Sequence, residues 1–321
     1  MRRALPRLRQ RGAALLTAMI IVALVSTLAA SMVWQQWRAV QVEVAERARL
    51  QSAWILSGAL DWAKLILRED AKSGRPTALT EPWATPLAEA RLSTFLAADK
   101  DNTDDGPEAF LSGSIVDAQS RYNLRNLVET SNNGTKVSAV ELEALRQLFQ
   151  AIDLTPDTAD RIATGLKDAL APPGSPGASN NPPLLPQSVT QLSWLGIDAA
   201  SIRTMTPYVV LLPVPTPVNL NTAPKEVLLA AIPGLDLGTA QRLVQVRQRT
   251  PFKEVADAQA QLPPTLTINA QRANIRSSFF EVRGRLRLSD RVLEESSLVE
   301  RRGLDVVTLT RQRESSRESS G

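Results

Sequence analysis

The 321-residue chain has no cysteine and no histidine. Without cysteine there are no disulfides and no thiolate metal site, and without histidine the commonest transition-metal ligand and general base is missing. A zinc centre and a Ser-His-Asp triad are excluded. No Gly-rich phosphate loop follows a strand pattern, and the adjacent carboxylates Glu294 and Glu295 fall on a strand or its turn, where neighbours face opposite ways. The chain therefore offers little as an enzyme. Three further absences lie near the N-terminus: no acid among the first 12 residues, no charge between Arg11 and Arg38, and no Pro or Gly between Gly12 and Gly58.

What those absences leave is a basic leader followed by an apolar helix. A run of roughly 25 residues makes a helix of about 37 Å, against a hydrocarbon core of about 30 Å. The segment is long enough to span a bilayer. Arg2, Arg3, Arg7, Arg9 and Arg11 stand in front of it, and such a bias holds that end in the cytoplasm, with everything after Arg38 outside. Three readings fit. A secretory signal peptide would be cut near Ala29 and Ala30, but its apolar region usually runs only about 7 to 15 residues. A plain one-span anchor has no use for Gly12. A short leader ending at Gly12, directly against an apolar helix, uses it.

The formal charge is +4, yet five of the 37 basic residues belong to the leader, leaving 32 basic against 33 acidic. The basic balance serves targeting rather than a nucleic-acid face. From Ala39 to about Arg68, Val40, Val44, Trp54, Ile55, Trp62, Leu65 and Ile66 recur at helical spacing with Glu43, Arg47 and Arg49 between them. Joined to the span, this helix reaches about 80 Å. Its apolar stripe needs a partner, either a packed globular domain or a coiled coil, and the lack of sustained heptads favours the first. The stretch from Gly113 to Ala118 alternates as a strand centred on Ile115 and Val116.

The residues Glu81-Pro82-Trp83-Ala84 are followed by Asp117, Ala118, Gln119, Arg121, Asn123, Leu124, Asn126 and Leu127. That run, behind a leader ending in Gly12, resembles the K-subunit family of type II secretion system minor pseudopilins. The resemblance implies cleavage after Gly12 by a prepilin peptidase, with Ala13 as the first mature residue, and methylation as a feature of the family. It implies a single-pass inner-membrane protein with a cytoplasmic N-terminus and a periplasmic domain, assembling with the I, J and H subunits and the major pseudopilin. The fifth mature position, usually Glu in pseudopilins, is Thr17 here, as in the K subunit. A tip position and a role in starting assembly follow from the same resemblance.

The expected fold is α+β: a pilin-like long N-terminal helix packed on an antiparallel β-sheet, with a large all-helical insertion of helix-hairpin-helix or SAM-like units. The boundaries read 1–12 leader, 13–37 span, 38–120 first pilin-like part, 121–276 helical insertion, 277–312 closing strands and 313–321 disordered tail. From Ser138 the pattern gives two amphipathic helices, the second opened by Thr155 and Pro156. Residues 171–187 are a Pro/Gly linker. A second helix pair follows Asn221 or Thr222 as cap, and its Thr239–Leu243 echoes Thr158–Ile162. Phe280, Val282, Leu286 and Leu288 alternate with Glu281, Arg283, Arg285 and Arg287, giving a meander with turns near Ser289-Asp290 and Gly303.

Two motifs carry competing readings. The second helix pair, with Gly234 and Gly238, resembles a helix-hairpin-helix DNA-binding module, which seats a phosphate on backbone N–H groups. Asp236 sits between those glycines, where a carboxylate repels phosphate, so the packing reading is preferred and no nucleic-acid partner is expected. Membrane-anchored DNA uptake stands as the alternative. Asp101, Asp104 and Asp105, beside Gly106, offer calcium the oxygen ligands it takes, without matching an EF-hand. The other reading is a solvated acidic loop. The resemblance implies bound calcium.

Overall fold

The computed structural model describes residues 13–92, 109–131, 134–172, 181–288 and 291–317. In chain order its elements are α1 (Ala13–Lys72), β1 (Leu87–Arg91), β2 (Ala109–Asp117), β3 (Tyr122–Asn123), β4 (Val128–Ser131), β5 (Gly134–Val137), α2 (Ala139–Ala151), α3 (Pro156–Leu170), α4 (Ala199–Met205), β6 (Val209–Val210), β7 (Val218–Asn219), α5 (Lys225–Ala231), α6 (Leu237–Arg249), α7 (Val255–Gln259), β8 (Ala273–Asn274), β9 (Phe279–Leu288), β10 (Arg291–Arg302) and β11 (Asp305–Arg317). They divide into two compact units that meet within α1, between Ser57 and Gly58.

In the first unit, α1 keeps Leu15, Met19, Ile20, Val25, Leu28 and Val33 exposed. A helix apolar on all sides suits a bilayer rather than water, and α1 is long and apolar enough to cross one. Trp34 and Trp37 close the apolar run, and the Arg38 guanidinium lies 5.6 Å from the Trp34 ring centre. Amphipathic rings beside a cation are typical of a membrane–water boundary.

In the second unit, α1 ends where Gly74 adopts φ +65 and donates to the Ala71 carbonyl, with Pro76 beyond it. A residue in the left-handed region stops the helical ladder at little cost only when it is glycine. The final turns bury Leu60, Ala63 and Leu67 against Trp83, Phe280, Val282 and Val299. Trp83 meets Phe280 edge to face, 5.4 Å between ring centres. These residues come from one helix face and one sheet face, as 3.6- and 2-residue periods require.

The sheet is antiparallel with order β1-β2-β9-β10-β11, and Ile115 lies opposite Val282. Strand β2 is longer than the Gly113–Ala118 pattern indicates, because Ala109 to Ser112 pair with Leu288 to Arg285 of β9. Phe280, Val282 and Leu286 are buried along β9. Gly303 forms the second turn with φ +63, whereas Ser289 and Asp290 lie outside the described residues. The polar end is a correction to the disordered tail: β11 runs to Arg317, paired with Arg291 of β10. Cross-strand pairing overrides a composition that favours disorder.

The chain leaves the sheet at Asp117 and returns at Phe279, and the residues between form a lobe with its own core. Leu145, Leu148 and Phe149 of α2 and Ile162 and Leu166 of α3 share it with Val227 and Leu228 of α5 and Leu243 of α6. Thr158, Ala159 and Ile162 are buried on α3 as Thr239, Ala240 and Leu243 are on α6, so the echoed residues occupy matching places on the second helix of each pair. Three short strand pairs accompany the helices: β3 with β6, β4 with β5 and β7 with β8. The expected capping by Asn221 or Thr222 is corrected, because Pro224 stands at the cap of α5. Both polar residues are drawn into the interior instead.

Candidate functional site

The polar residues that follow β2 form the joint between sheet and lobe. Asp117 is wholly buried at the strand's end, where a 3-10 turn, Ala118–Ser120, begins. Its Oδ1 accepts from the Gln119 amide at 2.8 Å. Its Oδ2 accepts from the hydroxyls of Thr222 at 2.6 Å and Ser277 at 2.7 Å and from the Asn219 side-chain amide at 2.8 Å. Burial pushes the Asp117 pKa up while these donors pull it down, and burial wins. Donors on every side are the compensation a buried carboxylate requires. The same Asn219 amide reaches the Thr77 carbonyl at 3.1 Å, joining the loop after α1 to the cluster.

Three amides downstream hold the returning half of the lobe. Asn123 donates to the Val214 carbonyl at 2.8 Å and accepts from the Leu212 amide at 3.1 Å. Asn126 donates to and accepts from the Thr216 backbone at 2.9 and 3.0 Å. Gln119 donates to the Pro217 carbonyl at 2.9 Å and accepts from the Ser278 amide at 2.6 Å. The segment so held contains Pro213, Pro215 and Pro217, each lacking an N–H, and so cannot pair as an ordinary strand. A side-chain amide, which donates and accepts at once, takes the place of a strand partner.

Ion pairs close the joint. Arg121 meets Glu281 of β9 at 2.7 Å with both side chains largely buried. Burial raises the Glu281 pKa, but Arg121 and Arg283 together hold it below its ordinary value. The Tyr122 hydroxyl donates to Glu141 at 2.8 Å, and Glu141 pairs with Arg272 at 2.8 Å. The joint binds and orients segments of its own chain. Thr77, Asn219 and Ser277 belong to it without having been singled out in the sequence; Thr77 and Asn219 follow prolines, whereas Ser277 carries no such signal.

The hairpin between α5 and α6 is built around Gly234, at φ +78. Asp236 caps α6, accepting from the Thr239 amide at 2.9 Å and its hydroxyl at 2.6 Å. The Thr239 hydroxyl and amide hold the Asp236 pKa below its ordinary value. A charged carboxylate thus occupies the helix N-terminus that a DNA phosphate would need. Arg247 is buried and bonded to the Leu220 carbonyl, and Arg242 donates to the Gln261 carbonyl at 2.9 Å. Burial lowers the Arg247 pKa to about 10. Both cations are committed within the lobe.

The remaining sequence candidates are placed as follows. Thr17 lies on α1 and donates its hydroxyl to the Ala14 carbonyl at 3.0 Å. Ala13 is the first residue of α1, and Gly12 lies outside the described residues, as do Asp101, Asp104 and Asp105. Among the described residues no three acidic side chains gather closely enough to hold a metal ion. On the last turns of α1, Trp62 and Leu65 are about half exposed, at 52% and 51%. At about 100° per residue they face away from Leu60, Ala63 and Leu67, so this part of the helix has one covered apolar side and one uncovered.

Models of the family described as type II secretion system (T2SS), protein K, match residues 120–214 and 218–275, the two halves of the lobe. Type II secretion system protein K of Klebsiella pneumoniae is 30% identical over 271 residues, 77% of this chain and 78% of the relative. That of Pseudomonas aeruginosa is 29% identical over 310 residues, 88% and 86%. Among solved structures, a chain in the crystal structure of the GspK-GspI-GspJ complex from the enterotoxigenic Escherichia coli type 2 secretion system shares the fold. Its TM-score is 0.63 at 20% identity, covering 85% of this chain and 99% of that one.

Proposed function

The chain belongs to the type II secretion system protein K family, and we propose that it is a minor pseudopilin at the pseudopilus tip, helping to initiate assembly. The assembly would export folded proteins from the periplasm across the outer membrane. The observation that carries this reading is the two-sided end of α1: Leu60, Ala63 and Leu67 are buried, while Trp62 and Leu65 are left for another molecule. By analogy with the GspK-GspI-GspJ complex, the helices of the I and J subunits cover that side, with the H subunit and major pseudopilin as further neighbours.

Two features favour the tip. A Glu at the fifth mature position would neutralise a neighbour's N-terminal ammonium in the apolar bilayer, where an unpaired charge is costly. Thr17 offers no such charge, so the subunit lacks the usual attraction to one ahead of it. The lobe, inserted between β2 and β9, adds bulk that stacking above it would have to accommodate. The role is structural rather than catalytic.

The leader's arginines orient the span with its N-terminus in the cytoplasm and the sheet and lobe in the periplasm. A prepilin peptidase cuts after Gly12 and Ala13 becomes the mature terminus. Intact-mass measurement on chain isolated from membranes tests this. A chain beginning at Ala13, with Gly12→Val left uncut, is expected; an uncut wild-type chain or a cut near Ala30 would contradict it. Calcium would be held by Asp101, Asp104 and Asp105, whose mutual repulsion it would neutralise.

A further inference from the structure

Gly58 is the only glycine in α1. Glycine weakens a helix interior relative to alanine, so its use there calls for a reason, either a positive φ or the room that a Cβ would take. Gly113 and Gly165 have such a reason inside the fold, since a Cβ would lie 2.8 Å from the Arg283 carbonyl oxygen at one and 2.9 Å from Leu195 at the other. Gly58 has none. Its backbone is ordinary helix, and apart from that backbone and the adjoining residues a Cβ placed on it meets no atom within 4 Å.

Its place on the helix supplies one. At about 100° per residue, Trp62 and Leu65 lie about 40° and 20° around the helix from Gly58, whereas Leu60, Ala63 and Leu67 lie about 140–200° away. Gly58 therefore belongs to the uncovered face, one turn before Trp62, and is itself exposed. A helical side chain leans over the turn before its own, yet the Trp62 indole leaves the space over Gly58 open. An empty seat thus stands beside an exposed indole. Asp61 pairs with Lys64 at 3.2 Å and Glu69 with Lys72 at 2.6 Å, so the acids bordering this face are matched on the helix itself. The seat suits an apolar group rather than a charge.

We propose that Gly58 is a specificity-determining notch, which takes a large apolar side chain from the helix of a neighbouring minor pseudopilin. The inference rests on the pseudopilin reading above and names the residue on which that contact turns. Packed helices stand about 8–10 Å apart, the side chains of one entering the grooves of the other. A glycine beside a Trp makes the deepest space on this face, and a side chain seated there leaves water together with the Trp62 indole. Any residue with a Cβ narrows that space, and a branched one closes it.

Photo-crosslinking in cells carrying the whole secretion system tests the notch, with the probe in place of Asp61, an exposed residue bordering the face. The chain with Gly58 intact is expected to capture the I or J subunit. Gly58→Ala and Gly58→Leu should lower that capture in order of size, by about twofold and about tenfold, as overpacking of a filled space does. In detergent micelles both variants should unfold at or above the wild-type temperature, because either residue favours a helix over glycine and nothing in the chain obstructs it. Equal capture by all three chains overturns the proposal. So does an equal fall in both variants, which would assign the effect to glycine's flexibility, and so does a lowered unfolding temperature in both, which would show that the chain's own fold needs Gly58. Capture of a second copy of this chain in place of I or J would also overturn it. No pseudopilin captured by the Gly58 chain would contradict the pseudopilin reading itself, and the notch with it.

Discussion

Asp117 and Thr222 are separated by 105 residues and joined by a 2.6 Å hydrogen bond inside the protein. One ends a strand of the sheet and the other precedes α5 of the lobe, so the bond ties the interior of the lobe to the point where the chain leaves the sheet. Ser277, donating at 2.7 Å to the same Asp117 oxygen, adds the point where the chain returns to the sheet, just before β9. A single carboxylate oxygen therefore holds the lobe in register with the sheet.

Thr222→Val removes one of these donors while keeping shape. A hydrogen bond to a charged group contributes about 1.5–3 kcal/mol, and a loss of that size is expected from urea unfolding at neutral pH. The loss should shrink in acid, where protonated Asp117 accepts only an ordinary neutral bond. Because burial raises the Asp117 pKa, the carboxyl's own contribution is complete below the ordinary aspartate value and lost as pH rises through the folded one. A cost that is the same at all pH values would show that Asp117 does not titrate in the folded chain.

Gly113 of β2 faces Gly284 of β9, and a Cβ at Gly113 would lie 2.8 Å from the Arg283 carbonyl oxygen. Gly165 of α3 is also tight, but its Cβ would meet the movable end of Leu195 at 2.9 Å. Gly113→Ala should therefore cost about 1–3 kcal/mol, as overpacking against backbone does. Gly165→Ala should cost less, because Leu195 can turn aside and alanine favours a helix by about 1 kcal/mol over glycine. Thermal unfolding of the two variants in parallel checks the order, and the reverse order would contradict the close approach of β2 and β9.

Asp236 stabilises α6 as its cap and bars phosphate from its N-terminus. Asp236→Ala is expected to lower the thermal unfolding midpoint, through loss of the cap. Fluorescence anisotropy with labelled duplex DNA should show no salt-sensitive binding by the wild-type chain. Binding that weakens steeply with added salt would revive the DNA-uptake reading.

Much of this architecture is legible in the sequence because it rests on periodicity. The alternation of Phe280, Val282 and Leu286 reports one buried sheet face, and the lack of Pro or Gly between Gly12 and Gly58 reports an unbroken helix. The joint was legible only in half. Asp117, Gln119, Asn123 and Asn126 stand out as a motif, but Thr77, Asn219, Thr222 and Ser277 come from distant segments and have no shared spacing. Thr222 in particular looks like a helix cap, and tertiary hydrogen bonding to Asp117 overrides that local preference. Strand β11 exceeds its apparent end for a similar reason, since Glu294 and its neighbours in β10 supply a partner that composition does not reveal.

Calcium makes a separate prediction. Isothermal titration of the full chain with calcium should give saturable binding that is lost in a combined Asp101→Asn, Asp104→Asn, Asp105→Asn variant. Unchanged binding in that variant would move the site elsewhere, and no binding by the wild-type chain would make the run a solvated loop.

The most direct test of the pseudopilin reading is site-specific photo-crosslinking in cells carrying the whole secretion system, with the probe placed in turn at Trp62 on α1 and at Trp194, an exposed residue of the lobe. The predicted result is that Trp62 captures the I or J subunit while Trp194 captures no major pseudopilin. Capture of major pseudopilin from Trp194, at many positions along the filament, would contradict placement at the tip, and the absence of any pseudopilin partner at Trp62 would contradict assembly through α1.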